Sequence, residues 1–185
     1  MPRSSPRQET KQWESDSGPG ITARNESPWD TFRKYYDCDL AGLVAVCVRS
    51  SGDRGVWAVR QYPIEDADKV LRILRSVRHR NLASIRECFR TKDIMYTLGE
   101  FDPLVLDHIV ACKAFLDERE LAAIMSQLVD GLLYLMTNNF YHTSLDCTSV
   151  LVNLNEHVKI GGFNSLIPPK TTLPNEAWQH GSIAV

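Results

Sequence analysis

The sequence predicts an α+β fold in which a small antiparallel sheet with one helix is followed by a mainly helical second half. Three observations carry this expectation. Two runs of strand composition flank a Ser/Gly/Asp turn between Leu40 and Arg60. Apolar residues recur at helical spacing from Ala67 to Val77. A longer helical stripe runs from Leu121 to Met136.

Residues 1–28 are rich in Ser, Pro, Gly, Gln, Glu and Arg, with Trp13 and Ile21 among the few large apolar side chains. Such a stretch buries too little surface to offset its ordering entropy and reads as a disordered tail, with order beginning near Trp29. Leu40 to Val48 is an almost continuous apolar run. The turn Ser50-Ser51-Gly52-Asp53 follows, and then Gly55 to Arg60, which together make a hairpin. Ala67, Val70, Leu71, Leu74 and Val77 share one face of a helix whose other face carries arginines and lysine. Ala83 to Phe89 and Ile94 to Leu98 read as two further strands around the turn Arg90-Thr91-Lys92-Asp93.

Leu104 to Cys112 has a helical pattern, and the next helix is the best marked in the chain. Asp117 and Glu120 have capping-box spacing, and Leu121, Ile124, Leu128, Leu132 and Leu135 form its apolar stripe. Two short apolar strands, Ser149 to Asn153 and His157 to Ile160, flank Leu154-Asn155-Glu156 and lead into Gly161-Gly162.

Composition narrows the function classes. With 185 residues, 43% hydrophobic and 24% charged, the chain holds one ordinary domain or two small lobes. A formal net charge of −2 gives no field that points to nucleic acid. No run of about 18 apolar residues predicts a membrane span, and no signal-peptide pattern opens the chain, so a cytoplasmic or nuclear location is expected. Cys38, Cys47, Cys88, Cys112 and Cys147 lack metal-ligand spacing with the histidines and read as reduced thiols.

Several segments, in order, resemble the motifs of the eukaryotic protein-kinase family. Trp57-Ala58-Val59-Arg60-Gln61 is similar to the V-A-I-K strand with arginine in the lysine slot. His79-Arg80-Asn81-Leu82 resembles the turn after the regulatory helix, and Glu100-Phe101 the hinge between lobes. Tyr141 to Val152 aligns without a gap to the catalytic loop H-R-D-L-x-x-x-N and the strand after it. Val158 to Asn164 resembles the strand ending in D-F-G. The resemblance spans Leu40 to Leu166, with sterile-family serine/threonine kinases as the nearest likeness. It implies a small lobe at 29–101 and a large lobe at 102–185 that is incomplete, because Val185 falls about where the family's A-P-E motif begins.

The resemblance also implies that the catalytic positions are degenerate. Ser144 stands in the slot of the proton-accepting aspartate, Ser149 in that of the metal-binding asparagine, and Gly162 in that of the metal-binding aspartate. Arg60 keeps a positive charge in another geometry, and Val70 takes the place of the helix glutamate that would pair with it. Leu40 to Ala45 retains one glycine of the phosphate-covering loop. Asp146 is a candidate displaced base, and Asp66 or Asp68 a candidate partner for Arg60. Apolar positions survive better: Leu74, Ile85, His142 and Phe163 match a stack joining the lobes, while Ala58 and Leu151 match residues that enclose an adenine ring.

A catalytically inactive module that binds protein, either an active kinase or another copy of itself, is therefore expected. It would have no metal cofactor and at most a vestigial, metal-independent site for ATP or adenine at Ala58, Leu151 and Arg60. The alternative implied by the same likeness is a divergent ATP-dependent serine/threonine kinase.

Overall fold

The structure is a computed structural model that describes residues 21–52, 55–112 and 115–167. The expectations for residues 1–20 and 168–185 lie outside these. In chain order the elements are β1 (Thr22–Arg24), β2 (Phe32–Asp39), β3 (Leu43–Arg49), β4 (Val56–Pro63), α1 (Ala67–Ser76), β5 (Ile85–Arg90) and β6 (Ile94–Glu100). Then come β7 (Leu104–Val105), α2 (Leu106–Ala111), α3 (Glu118–Thr137), β8 (Tyr141–His142), β9 (Val150–Val152), β10 (Val158–Ile160) and β11 (Leu166–Ile167).

The first half is a six-stranded sheet in the order β1-β5-β6-β4-β3-β2, antiparallel except where β1 runs parallel to β5. The second half has a three-stranded sheet, β10-β9-β7, and the β11-β8 pair. This α+β arrangement of a sheet lobe and helices is the class the sequence predicts.

The α1 stripe reads correctly, since Ala67, Val70, Leu71 and Leu74 are all buried. They enter one apolar cluster with Leu135, Phe140, Ile160, Phe163 and Leu166, so a single core joins both halves. Backbone bonds reinforce the junction: Ile160 N donates to Asn81 O and Ala83 N to Ile160 O, each at 2.9 Å. The buried Asn81 amide donates to Val158 O at 2.9 Å and to Gln127 on α3 at 3.3 Å. The ring of His79 stacks on Tyr134 at 4.8 Å, and the Tyr134 hydroxyl accepts from Arg78 N.

The capping box of α3 is formed as its sequence predicts. Asp117 Oδ1 accepts from Arg119 N and Glu120 N, and Asp117 N donates to Glu120 Oε2, all at 2.8 Å. The apolar stripe faces inward as expected except at its first residue. Ile124, Gly131 and Leu135 are buried and Leu128 and Leu132 half-buried, whereas Leu121 is exposed. Leu121, Met125, Val129, Leu133 and Met136 are each between 45% and 59% exposed. One side of α3 packs on β10 and enters the cluster that holds the α1 residues, while residues at successive fourth positions drift around the cylinder away from that contact.

Four boundaries differ from the sequence reading. Order begins before Trp29, since β1 lies in the segment read as tail and Ser27 caps a single turn at Pro28–Asp30. Backbone pairing and the Arg24–Glu87 ion pair at 3.4 Å hold β1 in place of apolar burial. Strand β2 lacks a buried alternation, with only Phe32 fully inside, so its sequence carries no period-two signal. Residues 40–42, read as the start of a strand, form the β2–β3 turn. Leu104 and Val105, read as helix, pair instead with β9.

Candidate functional site

Of the site residues implied by the sequence, Ala58 and Arg60 lie on β4 and Leu151 on β9, whereas Val70 lies on α1, Ser144 and Ser149 before β9, and Gly162 after β10. Ala58, Arg60 and Leu151 line one cleft with Glu100 at the end of β6 and Asp102 just after it. Leu40 and Val44 line it as well. Leu40, Val44, Val46, Ala58, Val105 and Leu151 form one buried cluster, so aliphatic carbon fills the space between Ala58 and Leu151. The cavity that remains is about 10 Å³, room for one water and well below the several hundred Å³ of an ordinary small-molecule pocket.

Arg60 projects into this cleft. Its Nη2 donates to the Leu40 carbonyl at 2.8 Å, while its buried Nη1 has no hydrogen-bond partner among the described residues. Burial pushes the guanidinium below the usual arginine range, opposed by Tyr62 and Asp102 at longer reach. Val70, in the helix position expected to pair with it, is a core residue. Asp68 pairs with Arg90 at 3.4 Å, not with Arg60.

The β2–β3 turn sits over the start of the D-F-G-like segment. Asp39 Oδ1 accepts from Gly42 N at 3.1 Å, and Leu40 N donates to Gly42 O at 3.1 Å. Ala41 and Gly42 both have positive φ. A Cβ on Gly161 would stand 2.5 Å from that of Ala41, so only glycine permits this approach. Gly162 is left-handed, at φ 68°.

On the other side, Ser144 is exposed and its N–H donates to His142 Nδ1 at 3.4 Å. That bond leaves the proton on His142 Nε2, which donates to Gly161 O at 3.0 Å. Ser149 is buried; its Oγ donates to Asp146 O at 2.8 Å and accepts from Asp146 N at 2.9 Å. The carboxylate of Asp146 accepts from Thr148 Oγ1 at 2.6 Å, Thr148 N at 3.0 Å and Ser149 N at 3.1 Å. The Thr148 hydroxyl, with these amides, holds its carboxyl below the usual aspartate range. Asp146 is thus the cap of its own turn, a poor proton acceptor at neutral pH.

Of the four residues expected to stack between lobes, Leu74 and Phe163 are buried in the shared core with Ile85 packed against it. His142 is half-buried and bonds the Gly161 carbonyl. No group of three or more His, Cys, Asp or Glu side chains among the described residues is placed to hold a metal ion.

Sequence reasoning missed the strongest charge feature near the cleft. Lys159 on β10 is 6% exposed, and its ammonium donates to Asp102 Oδ1 at 3.0 Å, Asp102 Oδ2 at 3.2 Å and Glu100 Oε2 at 3.0 Å. Burial alone would push Lys159 down; Asp102 and Glu100 outweigh it and hold the ammonium above the usual lysine range. Burial likewise pushes Glu100 up, but Arg86 and Lys159 bring it below the usual glutamate range. The signal was present as a lysine inside Val158-Lys159-Ile160, a strand with no exposed position.

A family model of the protein kinase domain matches residues 44–169. The chain belongs to that family. It is similar to the STE20-related kinase adapter protein strd-1 of Caenorhabditis elegans, 29% identical over 160 residues, covering 80% of this chain and 40% of the relative. Cyclin-dependent kinase 12 of Drosophila melanogaster is 29% identical over 113 residues, 55% of this chain and 10% of that protein. Serine/threonine-protein kinase dst4 of Dictyostelium discoideum is 26% identical over 152 residues, 74% and 31% respectively. The likeness therefore spreads across serine/threonine kinases beyond the sterile group, and the chain spans less than half the length of these relatives.

Proposed function

We propose that this chain is a catalytically inactive kinase-fold module that works by binding another protein, either an active kinase or a second copy of itself. The observation that carries this reading is the loss of the two aspartates and the asparagine that the phosphoryl-transfer site requires. Ser144, Ser149 and Gly162 stand there, and the nearest acid, Asp146, is spent on its own turn. Positioned magnesium and a proton acceptor supply most of the stabilisation in this reaction, so their loss removes the chemistry and leaves the fold. A degenerate member related to the sterile group is consistent with the similarity to strd-1, whose name describes a kinase adapter.

The exposed row Leu121, Met125, Val129, Leu133 and Met136 on α3 is the surface that such a role would use. Met125→Glu and Val129→Glu test it by sedimentation velocity, alone and with a candidate kinase. The expected outcome is an unchanged melting temperature and loss of association. Unfolding comparable to that of Leu135→Ala, or association unaffected by both changes, would show that this face is not the binding surface.

A further inference from the structure

The cleft leaves a cavity of only about 10 Å³, and the arginine in the lysine slot is part of its lining. Three independent contacts meet at the β2–β3 turn. Arg60 Nη2 holds the Leu40 carbonyl at 2.8 Å. The Leu40 side chain, 3% exposed, packs with Val44, Ala58 and Leu151. Ala41 lies against Gly161 so closely that a Cβ on that glycine would reach 2.5 Å. None of the ion pairs among the described residues includes Arg60, so this charge is directed at a main-chain carbonyl and not at a carboxylate. A lysine would bring one compact ammonium to this place, whereas the longer, forked guanidinium reaches across the cleft to the turn.

We propose that Arg60 is an intramolecular latch: it draws the β2–β3 turn into the cleft, seats Leu40 between Ala58 and Leu151, and so excludes adenine nucleosides from the native domain. The vestigial site is then blocked as well as chemically degenerate. Adenine binding requires the turn to lift first, and the apparent affinity falls by the fraction of molecules in which it has lifted. This extends the proposed function without depending on a phosphate-transfer measurement, because exclusion is read from binding alone.

The experiment is calorimetric titration of the purified full chain with adenosine in the absence of magnesium. Wild type is expected to give no saturable heat at millimolar ligand. The Leu40→Gly/Arg60→Ala variant is expected to bind at least about tenfold more tightly, the gain from releasing one charged hydrogen bond and its plug. Equal affinities in the two proteins would overturn the latch, as would a folded variant that still fails to bind.

Should the variant not fold, hydrogen exchange of the wild type decides. The Leu40 amide, bonded to Gly42 O, is expected to be protected to the level of β3, and fast exchange across 40–42 would overturn the proposal. Wild type that binds adenosine yet transfers no phosphate would remove the latch and leave the proposed function standing. Phosphate transfer by wild type would remove both.

Discussion

Replacing Lys159 with methionine probes the charge cluster that ties β10 to the segment after β6. The ammonium lies 3.0 Å from both Asp102 and Glu100, and Lys159 and Asp102 are 6% and 5% exposed. At such separations each attraction is about 5 kcal/mol for an effective dielectric near ~20, much of it offset by desolvation. Methionine keeps the length and apolar stem but strands Asp102 as a buried carboxylate. Breaking a buried pair from one side costs about 3–5 kcal/mol.

Urea unfolding monitored by tryptophan fluorescence should show that loss as a lower midpoint with an unchanged slope. Lys159→Met/Asp102→Leu should recover most of it, since removing both charges also removes the desolvation cost. A single variant that loses less than about 1 kcal/mol, or a double variant no better than the single, would refute the reasoning.

The pH dependence follows with defined signs. Lys159 is raised in the fold, so its contribution is complete below the unfolded value of about 10.4 and is lost as pH rises through the higher folded value. Glu100 is lowered, so its contribution is present above the unfolded value of about 4.3 and is lost as pH falls through the lower folded value. The stability gap between wild type and Lys159→Met should narrow at both extremes and be widest between them.

Other outcomes follow from local geometry. Gly99→Ala should destabilise by about 1–3 kcal/mol, because its Cβ would stand 2.4 Å from the Ser84 carbonyl oxygen, a backbone atom held by Glu100 N; thermal unfolding checks this. Asp117→Ala should cost about 0.5–2 kcal/mol by removing the acceptor for Arg119 N and Glu120 N. That loss should appear as faster hydrogen exchange in the first turn of α3 and not elsewhere.

What the sequence disclosed depended on whether the signal was local. The α1 stripe, the β3–β4 hairpin and the Asp117–Glu120 box are set by residues a few positions apart, and their chemistry is written in order along the chain. Strand β2 was hidden because an edge strand buries little, and β1 because three residues cannot show a period. Ala58, Arg60 and Leu151, named by likeness to the family, line one cleft, but likeness supplies positions and not occupancy. That Leu40 lines the cleft, that Arg60 turns to a carbonyl twenty residues away, and that Lys159 finds Asp102 fifty-seven residues away are facts of tertiary direction. In the α3 stripe, Leu121 alone was misplaced, for a related reason. Apolar spacing marks a face, but which part of that face is covered depends on the neighbours packed against it.

The chain is proposed to keep the kinase fold without phosphoryl transfer. The most direct measurement incubates the purified chain with γ-labelled ATP and magnesium, alone and with a generic protein substrate, over many hours. No label is expected on either protein above that of a heat-denatured control. Label that appears on either one and disappears in Asp146→Ala would show that Asp146 leaves its turn to act as the base, and would contradict the claim.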